Sequence, residues 1–181
     1  MKKLTTLYAS AFCFLLLSSC TANPENYFDI AVLNVNMMTQ FASESGDREL
    51  QSPSVKLKEG TTSETVQMTR KEVVENKIAY IEENYKKLQG LKETEETKNL
   101  LKASLALYEY VLPVYKKEYV QLADMYDKGE PQEKISAMEK SMHDNYYARF
   151  DALSNTLFAE GKSYATKNNI PVNWDVHTSP Q

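Results

Sequence analysis

TEETKNLLKASLALYEYVLPVYKKEYVQLADMYDKG, residues 94–129, carries the clearest periodicity in the chain. Leu101, Leu105, Tyr108, Leu112, Tyr115, Tyr119, Leu122 and Tyr126 recur at alternating spacings of four and three, with Val111 and Val114 widening the stripe. That period places them on one face of an α-helix running from near Thr94, a side-chain cap, to Gly129. At about 1.5 Å per residue such a helix is roughly 50 Å long. Pro113 interrupts it. Proline has no N–H for the carbonyl of Glu109 and its ring crowds that carbonyl, so a kink is expected where the stripe continues unbroken.

Working outward, Gly129 and Glu130-Pro131 leave so short a link that the next helix must fold back as an antiparallel neighbour. Its apolar face is Ile135, Met138, Met142, Tyr146, Arg149 or Phe150, Leu153, Leu157 and Tyr164, ending at Asn168-Asn169-Ile170-Pro171. Upstream, Val74, Ile78, Ile81, Tyr85 and Leu88 define a helix from about residue 64 or 69 to Gln89. Thr69 with Glu72 suits a capping box, although 65–68 can extend the helix, and Gly90 stops it. Glu82/Lys86 and Glu83/Lys87 have the favourable i,i+4 order on its polar side. A first helix opens at Asn23-Pro24-Glu25, a cap, a proline in the first turn and an acid at the positive end. Tyr27, Ile30, Leu33 or Asn34, Met37 and Phe41 form its stripe, and Ser43-Glu44-Ser45-Gly46 ends it. Val32, Asn34, Val35 and Asn36 make it the weakest helix former of the set. The expected fold is all-α: an up-down bundle of about four long helices, kinked at Pro113, with one long connection between helices one and two. A parallel coiled-coil oligomer competes, but the turns at 90–93 and 129–130 fold the chain back on itself. Residues 46–64 are that connection, where Val55 and Leu57 alternate with period two and allow a short strand over 54–58.

Ahead of the bundle stand Met1-Lys2-Lys3 and an apolar run over residues 4–17, a signal-peptide core too short for a permanent membrane helix. It stops at Leu17-Ser18-Ser19-Cys20, which resembles a lipobox. The resemblance implies cleavage after residue 19 and acylation of Cys20, with fatty acyl chains such as palmitate as the anchor. Thr21 stands where an acid would retain some lipoproteins at an inner membrane, so the expected location is a bacterial outer membrane. The chain then divides into leader 1–19, lipidated tether 20–23, helical domain 24–176 and loose tail 177–181, with Trp174 expected to fold back onto the bundle. Cys13 leaves with the leader and Cys20 is spent in a thioether, so no thiol serves a disulfide, a metal or a nucleophile.

Removing the leader leaves 162 residues, one domain's worth, and takes the formal net charge from −4 to −6. That sign, with no cationic block, argues against nucleic acid as a partner. His143 and His177 are the only histidines, and Glu139 and His143 stand four apart once only, short of a di-metal helical site. No catalytic residue, cofactor or metal is called. The tyrosines Tyr85, Tyr108, Tyr115, Tyr119, Tyr126 and Tyr146 read either as core with hydroxyls at its edge or as an amphipathic groove. In the second case Tyr108, Tyr115 and Tyr119, near Pro113, are the candidate ligand site.

The lipobox, the segment 31–41, the helix 101–126 with Tyr108-Glu109-Tyr110, and the helix 150–169 ending in Asn169-Ile170-Pro171 resemble the uncharacterised helical surface lipoproteins of Bacteroidetes and spirochaetes. The resemblance spans 26–175 and implies an envelope location and an all-helical domain, with no activity to carry over. Two readings follow. One is a non-enzymatic envelope module that binds a protein partner, with 46–64 as a contact surface. The other is a small-molecule carrier or sensor with a tyrosine-lined site near Pro113.

Overall fold

The computed structural model describes residues 23–44 and 46–173. The expected leader, Cys20, Trp174 and the tail from His177 lie outside these residues. The described chain is predominantly helical, with one short pair of strands.

Helix α1, Pro24–Ala31, starts as its sequence dictates: Asn23 accepts the Glu25 N–H at 3.1 Å and Pro24 fills the first turn. It does not run on to Phe41. At Val32 the backbone tightens into a 3₁₀ segment, Leu33–Met38. A 3₁₀ turn has three residues, so Val32, Val35, Met38 and Phe41, spaced by three, all face inward and are buried. The expected stripe is corrected accordingly: Leu33 is exposed, and Ile30 and Met37 only partly buried. Poor helix formers at 32, 34, 35 and 36 make the switch cheap.

The long connection is ordered locally. Asp47 caps a single turn, α2 (Arg48–Gln51), by accepting the Glu49 N–H at 2.9 Å. The strand allowed around Val55 is present as β1, Val55–Leu57, and pairs antiparallel with β2, Thr65–Gln67. Residues 65–68 therefore do not extend the following helix. Their β-branched Thr65 and Val66 pair with β1 instead.

Helix α3, Arg70–Gln89, has the full capping box between Thr69 and Glu72. A second cap comes from far along the chain: the Asp127 carboxylate accepts the Arg70 and Lys71 N–H groups, one per oxygen, each at 2.9 Å. A carboxylate at a helix N-terminus satisfies donors the helix cannot and meets its positive dipole end. Of the two expected intrahelical pairs, Glu83–Lys87 forms, while Glu82 reaches across to Lys116.

Thr94 and Thr97 exchange hydroxyl–amide hydrogen bonds, and helix α4 proper begins at Lys98 and runs to Val114. The interruption at Pro113 takes the form of a π-turn, Tyr115–Tyr119, after which α5 (Val120–Asp127) resumes. Withholding one N–H frees the ladder to re-register, and the wider turn inserts an extra residue. Leu101, Tyr108, Tyr115, Tyr119 and Leu122 of the expected stripe are buried, and Leu100, Ser104 and Leu107 ahead of the turn are buried beside them. Leu105 and Leu112, expected on the stripe, are only half-buried.

Gly129, at φ +67°, ends α5 with a Glu130 N–H to Met125 carbonyl bond of 3.0 Å. The fourth predicted helix is also interrupted: α6 (Gln132–Met142), a π-turn (His143–Tyr147), then α7 (Ala148–Lys167). Asn169 at φ +54° closes it, with Ile170 N–H on the Ala165 carbonyl. α4 lies along α7, α3 packs on α4 and α5, and α1 touches α3, α4 and α7. Tyr27 Oη donates to the Lys92 carbonyl and pins α1 to the α3–α4 link. No described helix is long and apolar enough to cross a membrane.

Candidate functional site

Tyr108, Tyr115 and Tyr119 are all buried in the core, at 0%, 1% and 2% exposure. Tyr108 stacks on Tyr85 at 5.9 Å, and Tyr115 stacks on Tyr119 at 4.3 Å. The space between helices near Pro113 is filled by Phe41, whose ring meets Tyr115 at 5.6 Å, Tyr119 at 5.9 Å and Phe150 at 4.9 Å. Burying one such ring contributes about 1.5–3 kcal/mol. Beside Tyr119 a small gap of about 10 Å³ is lined by Ala42, Ser43, Gly46, Asp47 and Glu139. That is room for about one water beside Tyr119.

Burial pushes all three phenols well above their usual range. Their hydroxyls nevertheless differ. Tyr119 Oη accepts the buried Ala42 N–H at 2.8 Å. The hydroxyls of Tyr108 and Tyr115 have no hydrogen-bond partner among the described residues. Ala42 itself sits at φ +49°, a conformation costly for a residue with a Cβ. Its carbonyl is met by His143 Nδ1 at 2.9 Å, which fixes that nitrogen as the donor. His143 also stacks on Tyr147 at 4.8 Å. The histidine thus serves a backbone group, and no group of His, Cys, Asp or Glu among the described residues is arranged to hold a metal.

Around the gap, Asp47 is buried and paired with Lys77 at 3.3 Å, and Lys77 also reaches Glu49 at 2.8 Å. Tyr126 Oη donates to Glu139 at 2.9 Å, and burial followed by that carboxylate raises its phenol to about 12. These contacts close the space under the 42–47 loop. Two open grooves of about 340 and 330 Å³ lie elsewhere, between α4 and α7 around Ala103 and Leu153, and beside α1 near Leu33 and Ile170.

The ribbon is the feature that the core does not absorb. Val55 and Leu57 are 63% and 59% exposed and Val66 is 38% exposed, so three of the five large exposed hydrophobics among the described residues are on six ribbon residues. Its register is Val55 opposite Gln67, Lys56 opposite Val66 and Leu57 opposite Thr65. Lys56 forms an ion pair with Glu72 of α3, so the face bearing Lys56 and Val66 is turned toward α3. Side chains alternate, which turns Val55 and Leu57 away from the protein. Period two at 55 and 57 was the available sequence signal; what it lacked was the partner strand.

Comparison of the chain with known protein families, with characterised proteins and with solved structures finds no match.

Proposed function

We propose that the protein is a lipid-anchored component of a bacterial cell envelope, held at an outer membrane through Cys20, and that it acts as a non-enzymatic interaction module. In this reading residues 1–19 are the leader, 20–23 the tether and 24–176 the working domain. The long helices form an up-down bundle on the plan of the helical surface lipoproteins that the sequence resembles. The basic-apolar leader ending in Leu17-Ser18-Ser19-Cys20 supports the anchor. The observation that carries the interaction role is the ribbon: apolar side chains at Val55 and Leu57 stand in solvent while the body beneath is tightly filled. A small-molecule carrier with its site at Tyr108, Tyr115 and Tyr119 is less favoured, because the gap there admits only a water.

The anchor is tested by labelling cells with a palmitate analogue and fractionating the envelope. Wild type is expected to take label and sediment with membranes; Cys20→Ala is expected to do neither. Equal labelling of both would end the lipid assignment. The contact role is tested with a photo-crosslinking residue at position 55 and, as a control, at exposed Tyr80 on α3. Discrete adducts from position 55 and none from position 80 are expected. Adducts from position 80 alone, or from neither, refute the ribbon as the contact surface.

A further inference from the structure

The ribbon's hydrogen-bond ladder says which chemistry its free edge offers. Lys58 N–H donates to the Glu64 carbonyl at 2.8 Å and Met68 N–H to the Ser54 carbonyl at 2.9 Å. With the register of the strands, this makes Ser54/Met68, Lys56/Val66 and Lys58/Glu64 the hydrogen-bonded pairs. In an antiparallel ladder the intervening residues point their N–H and C=O groups outward, away from the partner strand. On β1 those residues are Val55 and Leu57. The two positions that expose apolar side chains are therefore two whose backbone donors and acceptors have no partner among the described residues, spaced by two as a strand requires. On β2 the corresponding residues are Thr65 and Gln67, whose backbone groups point outward as well; the Gln67 side-chain Nε2 donates to the Pro53 carbonyl at 3.4 Å. The edges differ in their side chains: β1 carries exposed Val55 and Leu57 and β2 carries Thr65 and Gln67. A lone two-stranded ribbon is only marginally stable in water, so a third strand would add hydrogen bonds and cover the two apolar side chains.

We infer that β1 is a docking edge for an extended polypeptide segment, which adds as a third strand through the backbone groups of Val55 and Leu57 and sets its alternate apolar side chains beside theirs. This rests on the ribbon being the contact surface proposed above and names the chemistry of its partner. The partner has to be polypeptide, because an extended backbone presents N–H and C=O groups at the two-residue repeat of the edge.

The test uses the full-length chain, isotope-labelled in detergent, and a short blocked peptide alternating valine with threonine and ending in lysines for solubility. Peptide is expected to slow exchange of the Val55 and Leu57 amides and leave those of Thr65 and Gln67 unchanged. Two substitutions separate backbone from side chain. Leu57→Pro removes an outward N–H and no ladder bond, a position where an edge strand tolerates proline; slow exchange at Lys56, Lys58 and Val66 checks that the ribbon persists. Leu57→Thr keeps the N–H and shortens the side chain. Binding is expected to weaken about tenfold or more in Leu57→Pro and only slightly in Leu57→Thr. Equal losses in both variants overturn strand addition while leaving the ribbon as a contact surface. No effect of either variant, or no protection at millimolar peptide, overturns strand addition; paired with absence of crosslinks from position 55, it overturns the contact role as well. A concentration-dependent dimer of the chain alone, lost in Leu57→Pro, would mean that the edge is occupied by a second copy and overturn the separate partner.

Discussion

Replacing Tyr119 by phenylalanine removes one oxygen and keeps the ring that stacks on Tyr115 and packs beside Phe41. That oxygen accepts the Ala42 N–H at 2.8 Å, and both residues are buried. The variant leaves a buried backbone donor unpaired, which costs about 1–3 kcal/mol. The same substitution at Tyr108 also deletes a buried hydroxyl, but one with no partner among the described residues. There the folded state loses a desolvation penalty rather than a hydrogen bond, so the expected change runs from zero to about 1 kcal/mol of added stability. Urea unfolding followed by far-ultraviolet circular dichroism reads both, with an unchanged m-value as the sign that only the native state was altered. In a domain of this size about 1 kcal/mol corresponds to roughly 2–4 °C, so Tyr119→Phe should melt several degrees lower and Tyr108→Phe at or above wild type. If Tyr108→Phe destabilised as much as Tyr119→Phe, the assignment of hydrogen-bond partners in the core would be wrong.

Asp127→Ala strips two N–H groups of α3 of their acceptor and should cost about 1–2 kcal/mol in the same urea assay, while a neutral result would reduce the cap to a surface contact. Gly46→Ala should be worse than Gly60→Ala: both have φ near +75°, but a Cβ on Gly46 meets the Gln51 amide nitrogen at 2.7 Å and a Glu139 oxygen at 2.8 Å, whereas Gly60 faces open space. Thermal melts of the two variants should therefore differ, and equal melts would mean that the 42–47 loop yields freely. Burial raises the folded phenol of Tyr126 to about 12 from 10.0, so its contribution is complete below pH 10 and is lost as pH rises toward 12; urea midpoints above pH 10 should fall, and fall less in Tyr126→Phe. Pro113→Ala should gain far less than the roughly 3 kcal/mol that helix propensity alone would return, because the π-turn beyond it sets the register of Tyr115 and Tyr119; a full gain would make the turn mere damage.

What the sequence disclosed were the features decided within a few residues. The Asn23-Pro24 start, the Thr69/Glu72 box and the stops at Gly90, Gly129 and Asn169 are local chemistry, and the structure has each of them. The register of the stripes was not local. Residues 27–41 carry two overlapping patterns, one of period near 3.6 and one of period three, and only the packing of Phe41 among Tyr115, Tyr119 and Phe150 chooses between them. The partner of Val55 and Leu57 was hidden because Thr65-Val66-Gln67 precedes a helix cap and continues its pattern as easily as it forms a strand. For the tyrosines, composition permits a core or a groove. The answer depends on whether something fills the space, and what fills it is Phe41, from a segment read as a different conformation.

These departures from regular helix are one event rather than three. The 3₁₀ segment delivers Phe41 into the core and brings the chain to Ala42, whose positive φ turns both of its peptide groups toward the other helices. The first π-turn ends on Tyr119, which receives the Ala42 N–H; the second begins on His143, which meets the Ala42 carbonyl. The π-turns are further tied to each other by Tyr146 Oη on Glu118 at 3.3 Å, and α4 reaches the second through Tyr110 Oη on the Tyr146 carbonyl at 3.1 Å. An alanine at φ +49° is unfavourable alone, as is an interrupted helical ladder. The turn at Ala42 persists because the two π-turns supply the partners of its N–H and its C=O. Removing the Tyr119 hydroxyl or the His143 ring should therefore loosen the turn at Ala42.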